Sequence, residues 1–541
     1  MQFTPTADLW TRLNRNYTRL EETKYYPENV FQRSKEHTRW PGDTEGRTLL
    51  AWVLLARATG RPPRHLAEML ALWPTEVNTY GYFGKIYTDG ISEQQLASHG
   101  WVLQALAELH RAAEAGEAWA ARHDARALAL PIIDNLFRPT AQAYADYPID
   151  PAERESAGEY SGSHLKQIGP WILSTDVGCF TIGMAGLIDA ADAFGLRDDL
   201  APLIGAMIAR FLAIDLKEIK AQTHATLTAL RGLVRWSRLT ADPTLWSEIA
   251  DRYQLYTDFA WTEHYANYNW FDRPRWTEPC AVVDSLIVAM ELWQHTREDR
   301  YLEHAQLIWF NALGHGQRAN GGFGCDNCPG ADGETELKFS TEEAHWCCTM
   351  RGAEGLFRLT EYQVFHDMDG ALLLPFGLPG DYVATKGSRQ SKEPGTESAS
   401  LHIVSAYPHR AEWSLTNTGS TPLIVRLFVP PWIEGLRCTN PQSFENDTPD
   451  AKRGAWLTIE LAPGTNHSME GSLLTRERPC LPATTTFNPA APPGTIRMNG
   501  PLVLARYGVD EDTWKPIFDD YLRGNMSKAH SAKTLILAAK A

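Results

Sequence analysis

The sequence predicts an α+β multidomain protein, an (α/α)6 barrel followed by an antiparallel β-sandwich. Three observations carry this reading. Apolar helical segments joined in pairs by short polar turns recur through the first two thirds of the chain. Near Asp367 the texture changes to short alternating runs cut by Gly, Pro, Asn and Ser. Five of the eight cysteines (Cys280, Cys325, Cys328, Cys347 and Cys348) fall in the segment that precedes this change.

The helical pairs can be followed in order. Residues 48–56 are apolar at helical spacing and lead through Thr59-Gly60-Arg61-Pro62-Pro63 to a second helix at 65–70. A further pair spans 94–137, with its turn near Ala115-Gly116. Residues 186–193 turn at Phe194-Gly195-Leu196, 230–236 turn at Thr240-Ala241-Asp242-Pro243, and 287–293 turn at Thr296-Arg297-Glu298-Asp299. A last inner helix is expected at 352–365. The spacing is too irregular for a solenoid, and roughly six inner helices suit a closed ring. The runs 371–376, 400–404, 411–415, 423–429 and 455–461 are the strands of the expected sandwich. The division that follows is 1–45 as an N-terminal segment with a short helix around 8–21, 46–366 as barrel, 367–508 as sandwich, and 509–541 as a tail with no placed element.

The chain has 541 residues, with 51 Lys and Arg against 66 Asp and Glu, and that acidic balance argues against a nucleic-acid partner. No run of about 18 apolar residues suggests a membrane span. The first residues lack the basic start and apolar stretch of a secretory signal, so a cytoplasmic protein is expected. Eight cysteines are too few for a disulfide scaffold, and their clustering points to metal or catalysis. The 19 tryptophans offer flat apolar faces suited to sugar rings, although most of them are expected to fill helix interfaces.

Cys347 and Cys348 are adjacent, so they cannot easily bridge each other, but both sulfurs can reach one soft metal. Cys280 and Glu278, two residues apart at the mouth of a helix, would complete a four-ligand zinc site. A rival set joins Cys325 and Cys328 to the adjacent pair as a closed site of four thiolates. The residues alone leave both sets open.

Glu278-Pro279-Cys280, followed by Cys347-Cys348 and then a helix running into a β-sandwich, resembles glycoside hydrolase family 127, the β-L-arabinofuranosidases. The resemblance extends to residues 496–504, which look like the family's Gly-Pro-Leu-Val strand. It implies a retaining exo-glycosidase with zinc bound by Glu278, Cys280, Cys347 and Cys348, and with Cys347 as the nucleophile. It also implies a glutamate that protonates the leaving oxygen and then activates water. Glu263 holds that position because it precedes Glu278 by about the family's interval, with Glu342 and Glu343 as rivals.

Histidines His99, His164 and His224, each near an expected helix start, are candidate substrate ligands, and His224 matches the family best. Trp40 and Asp43 lie in a stretch that resembles the first loop at the barrel mouth, although an N-cap role for Asp43 or Thr44 explains the same residues. Where the family commonly has prolines after its cysteine pair, this chain has Thr349-Met350-Arg351-Gly352. Arg351, a cation close to the nucleophile, suggests an acidic or branched sugar. A glycoside or oligosaccharide is the expected partner, and self-association as a homodimer is compatible with the sequence. Two alternatives stand beside this reading. One is a non-catalytic carbohydrate-binding protein with a structural four-cysteine zinc site, and the other is a carboxylate enzyme using Asp43 and Glu263.

Overall fold

Six helices pack side by side in a closed cycle: Asp43–Thr59, Glu93–Glu114, Phe180–Ala193, Thr223–Thr240, Pro279–Thr296 and Cys348–Glu361. Each lies against the next, and the last lies against the first. Their sequences explain their place, because a helix buried on nearly every face cannot be a surface helix. In Glu93–Glu114 the polar residues Gln94, Gln95, Ser98 and Gln104 are buried along with the leucines. Glycine sets the closest approaches. A Cβ on Gly186 would stand 2.0 Å from the Gly100 carbonyl oxygen, and one on Gly46 would stand 2.4 Å from the Val102 nitrogen, so these backbones meet only because no side chain intervenes. The computed structural model describes residues 2–36, 40–154, 162, 164–271, 273, 276–328, 337–384, 399–438, 454–481, 494–507 and 514–516.

A second layer of helices covers the ring. Ala125–Ile132, Arg197–Leu212, Thr244–Phe259 and Arg300–Leu307 each return along the ring helix that precedes them. The helix, turn, helix pattern of the sequence is thus one ring member and its cover. The opening segment contributes more than the sequence suggested. Helix Ala7–Leu20 covers the last ring helix, where Asn16 donates to the carbonyls of Gly321 at 2.8 Å and Thr349 at 3.2 Å. Ahead of it, strand Gln2–Pro5 joins the edge of a sheet built from the far end of the chain.

That sheet has six strands in the order Gln2–Pro5, Gly380–Ala384, Ala399–Ser405, Ala411–Asn417, Asn466–Leu473, Ile433–Cys438, all paired antiparallel. In Ala411–Asn417 every second residue is buried, the period of a sheet with one covered face. A four-stranded sheet, Ala455–Leu461, Leu423–Val429, Leu372–Leu374, Phe365–His366, departs from the wholly antiparallel expectation. Leu423–Val429 runs parallel to Leu372–Leu374, the latter being a short strand buried at all three positions. A third sheet contains Thr475–Pro479, Thr495–Asn499, Leu502–Tyr507 and Trp514–Pro516, and the rest of the tail lies outside the described residues. Buried side chains of all three sheets belong to the same apolar cluster as the ring helices, so sheets and ring share one core. No helix among the described residues is long and apolar enough to cross a membrane.

Candidate metal and thiol site

Four ring helices bring their N-termini to one place. Cys347 is the N-cap and Cys348 the first residue of Cys348–Glu361; Glu278 is the N-cap of Pro279–Thr296 and Cys280 its second residue. His224 is second in Thr223–Thr240, and Asp43 opens Asp43–Thr59 after Gly42, whose φ of 93° suits glycine at that N-cap. Helix N-termini carry unpaired amide hydrogens and partial positive charge, which favours thiolates and carboxylates there.

The sulfurs meet. Cys347 Sγ lies 3.3 Å from Cys348 Sγ, and Cys280 Sγ lies 3.7 Å from Cys348 Sγ. His224 Nδ1 is 3.2 Å from Glu278 Oε1, and its Nε2 is 3.6 Å from Asp284 Oδ2. Two ligand triads result, Cys280 with Cys347 and Cys348, and Cys280 with His224 and Glu278. Within each triad the ligand atoms all lie within 4.8 Å of one another, and Cys280 belongs to both. Glu278 Oε2 is buried with no hydrogen-bond partner, an expense that an ion would relieve. Sulfur donors with a carboxylate and an imidazole suit a soft or borderline cation, so the residues fit a metal.

The three thiols differ in acidity. Cys347 is held down to about 6 because Cys280 and Cys348 can donate S–H to its thiolate, with Arg47 adding a favourable charge against burial. Burial, with the proton shared toward Cys347, pushes Cys280 up to about 11, and burial raises Cys348 well above its ordinary range. Cys347 is therefore the first to ionise. It is also only half-buried, whereas its two neighbours are closed off, and the exposed Trp346 stands next to it.

Other expected residues fall into place unevenly. Cys325 comes to 4.0 Å from Cys348, but Cys328 stays apart with its sulfur against the Asp326 carbonyl, so the four-thiolate knot is not assembled. Asp43 grips Arg47 Nε with both oxygens at 2.9 Å rather than capping its helix, and burial raises its pKa while Arg47 opposes the shift. Trp40 is partly buried, with Nε1 2.7 Å from where a Cβ on Gly162 would stand. His99 is wholly enclosed, with Nε2 3.0 Å from the Phe83 amide and Nδ1 2.8 Å from the Gln95 carbonyl.

Several expectations need correction. His164 does not start a helix but opens strand His164–Ile168, because Gly169, at φ 53°, and Pro170 turn the chain back into Trp171–Ser174. Arg351 lies inside the ring and not at an open face. It has no exposed side-chain surface, is paired with Asp284 and Glu354, and lies over Trp101 at 4.4 Å, so the ground for an acidic sugar disappears. Glu263 is fully buried and occupied: Arg478 Nη1 donates to Oε2 at 3.0 Å and the Leu481 amide to Oε1 at 3.0 Å. This geometry tethers the loop after Thr244–Phe259 to strand Thr475–Pro479. Glu342 is exposed, and Glu343 is engaged by Arg19, Lys24 and Tyr25. Although burial opposes its ionisation, the bond and charge of Arg19 hold Glu343 near about 2.

Sequence reasoning missed Arg47, Trp101 and Asp284. Only Arg47 left a legible signal, four residues after Asp43 on the same helix face.

No family model and no curated protein matches the sequence. Solved structures do. A GH127 beta-L-arabinofuranosidase from Geobacillus stearothermophilus T6 superposes with a TM-score of 0.59 at 14% identity, covering 93% of this chain and 86% of its own. The chain has a GH127-like fold. A second GH127 protein, a beta-arabinofuranosidase, gives 0.61 at 12% identity over 93% of this chain and 84% of its own, and a structure described as a glycoside hydrolase gives 0.61 at 13% over 93% and 82%. At such identities the GH127 likeness concerns the fold, and the chemistry must be argued from the site.

Proposed function

We propose that the protein is a retaining glycoside hydrolase that attacks a neutral, non-reducing terminal furanoside with the Cys347 thiolate. The reading treats the six-helix ring as the inner wall of an (α/α)6 barrel and the sheets as a β-sandwich packed on it. The observation that carries it is the convergence of Cys280, Cys347 and Cys348 at helix N-termini with Cys347 alone half-open.

Zinc, held by Cys280, Cys347 and Cys348 with Glu278 as the carboxylate donor, would keep the thiols deprotonated at neutral pH. The remaining chemistry belongs to the chain. Cys347 Sγ forms a bond to the anomeric carbon as the glycosidic C–O bond breaks and the leaving oxygen takes a proton from solvent water. Water then displaces the sulfur, returning a proton to solvent, and the sugar is released with the Cys347 thiolate restored. Glu263 can serve as the proton donor only by leaving Arg478, so in the paired geometry it is a tether. His224, between Glu278 and Asp284, orients the carboxylate beside the sulfurs. The separation of Cys328 from the cluster disfavours a purely structural four-cysteine knot.

Turnover of a panel of aryl furanosides and pyranosides by Cys347→Ser tests the proposal. The activity should fall by at least ~10³-fold, about 4 kcal/mol of transition-state stabilisation, while part of the bound zinc remains. A variant that keeps most of its activity removes Cys347 from the nucleophile role.

A further inference from the structure

The three thiols have unlike surroundings. Cys348 faces sulfur on three sides, with Cys347 at 3.3 Å, Cys280 at 3.7 Å and Cys325 at 4.0 Å. Cys347 stands at the opening. Cys280 has a cation against it: Arg47 Nη1 lies 3.5 Å from its sulfur, within reach of an N–H···S bond. No other cation among the described residues makes such a contact with the cluster.

Arg47 has little freedom to move. Its Nε serves both Asp43 oxygens at 2.9 Å, its guanidinium carbon lies 4.3 Å from the centre of the Trp101 ring, and the side chain is buried. Trp101 also carries Arg351 at 4.4 Å, and His224 stacks on it at 5.7 Å with 14° between planes. One indole on the second ring helix therefore sets a sulfur-bonded cation on the first, an imidazole on the fourth and a buried cation on the sixth. Gly46 lets the first helix approach the backbone of Trp101 and Val102 closely enough for this.

We propose that Arg47, seated on Trp101, is a positioning residue for the metal site: it donates to the Cys280 thiolate and makes that sulfur a ligand, leaving Cys347 as the sulfur that takes no direct N–H donor from a cation. The role rests on the metal reading above. Three thiolates and Glu278 bring four negative charges to a divalent ion, and the excess is buried, where uncompensated charge is costly. A charge-assisted donor on one sulfur offsets part of that excess and draws electron density from that sulfur in particular. Lysine could supply the charge but could not serve both Asp43 oxygens and a sulfur from one planar group.

The test is competition for zinc against a chelator, with the thiolate-to-metal absorption of the cobalt-loaded protein as a second readout. Asp43→Asn serves as parent and Asp43→Asn/Arg47→Met as the variant, which removes the sulfur contact without stranding a buried carboxylate. Zinc affinity should fall about 10- to 100-fold from parent to double variant, and the cobalt absorption should shift. Arg47→Lys should fall between wild type and the double variant. Arg235→Met, which removes a cation paired with Asp189 and Asp192 and not touching the cluster, should lower thermal stability and leave both metal readouts at wild type. A double variant equal to its parent, or an Arg235→Met protein that loses metal equally, overturns the role of Arg47 while the metal reading stands. A wild-type protein that takes up neither ion overturns both. If the double variant does not fold, Arg47→Lys decides, and wild-type affinity in that protein overturns the proposal.

Discussion

The two ends of the helical ring differ in how their charges are disposed. At the end where the helices begin, thiols, Glu278, His224 and Asp43 crowd together, and Glu278 Oε2 is buried without a partner. The other end opens on a cavity of about 470 Å³ lined by Arg231, Arg235, Arg238, Glu291, Arg358 and Glu361, and there the charges neutralise one another. Arg235 pairs with Asp189 at 2.6 Å and Asp192 at 2.9 Å, Arg238 with Glu291, and Arg358 with Glu361. The charges at that end are paired, whereas the candidate ligands sit where unpaired amide hydrogens face anionic side chains. Among the described residues the groups placed to hold a metal lie at the thiol end, and none lines this cavity.

The contrast can be broken or sharpened by substitution. Cys347→Ser, with the loss of at least ~10³-fold given above, is the largest expected effect at the thiol end. Next comes the pH dependence of Cys347 in metal-free protein. Because its folded pKa of about 6 lies below the ordinary 9.0 of a thiol, alkylation by iodoacetamide should slow about tenfold for each pH unit below 6 and level off above it. The same depression adds stability that is fully present above about 9 and is lost as pH falls through about 6, so the metal-free melting temperature should decline over that window. Alkylation that rises only near pH 9 would show that the neighbouring thiols do not hold the thiolate.

Glu263→Gln has a smaller expected effect. As a tether its loss should lower stability by about 2–4 kcal/mol, since the buried Arg478 pair is broken, and should slow poor and good leaving groups alike. Selective slowing of poor leaving groups would return Glu263 to the role of general acid. Smallest of all, Arg235→Gln at the cavity end should change turnover by less than about twofold while lowering the melting temperature by a few degrees.

Much of this was legible in the sequence because the decisive residues come as short words. Cys347-Cys348 and Glu278-Pro279-Cys280 each place two donors on one helix start, and the paired helices announce the ring through apolar spacing broken by polar turns. What escaped depends on convergence between distant segments. Arg47, Trp101 and Asp284 come from three different helices, and only packing makes them neighbours. Strand Gln2–Pro5 is four residues with no periodicity to read, and its partner Gly380–Ala384 lies in the other half of the chain. Arg351 read as a cation near the nucleophile because it follows the cysteine pair by three residues, and the ring instead buries it against Asp284 and Glu354.

X-ray absorption at the zinc edge of the purified protein tests the central claim most directly. Three sulfur scatterers at about 2.3 Å and one oxygen near 2.0 Å are expected, with the sulfur count falling to two in Cys347→Ser. A shell of nitrogen and oxygen alone, or a sulfur count that Cys347→Ser leaves unchanged, would contradict it.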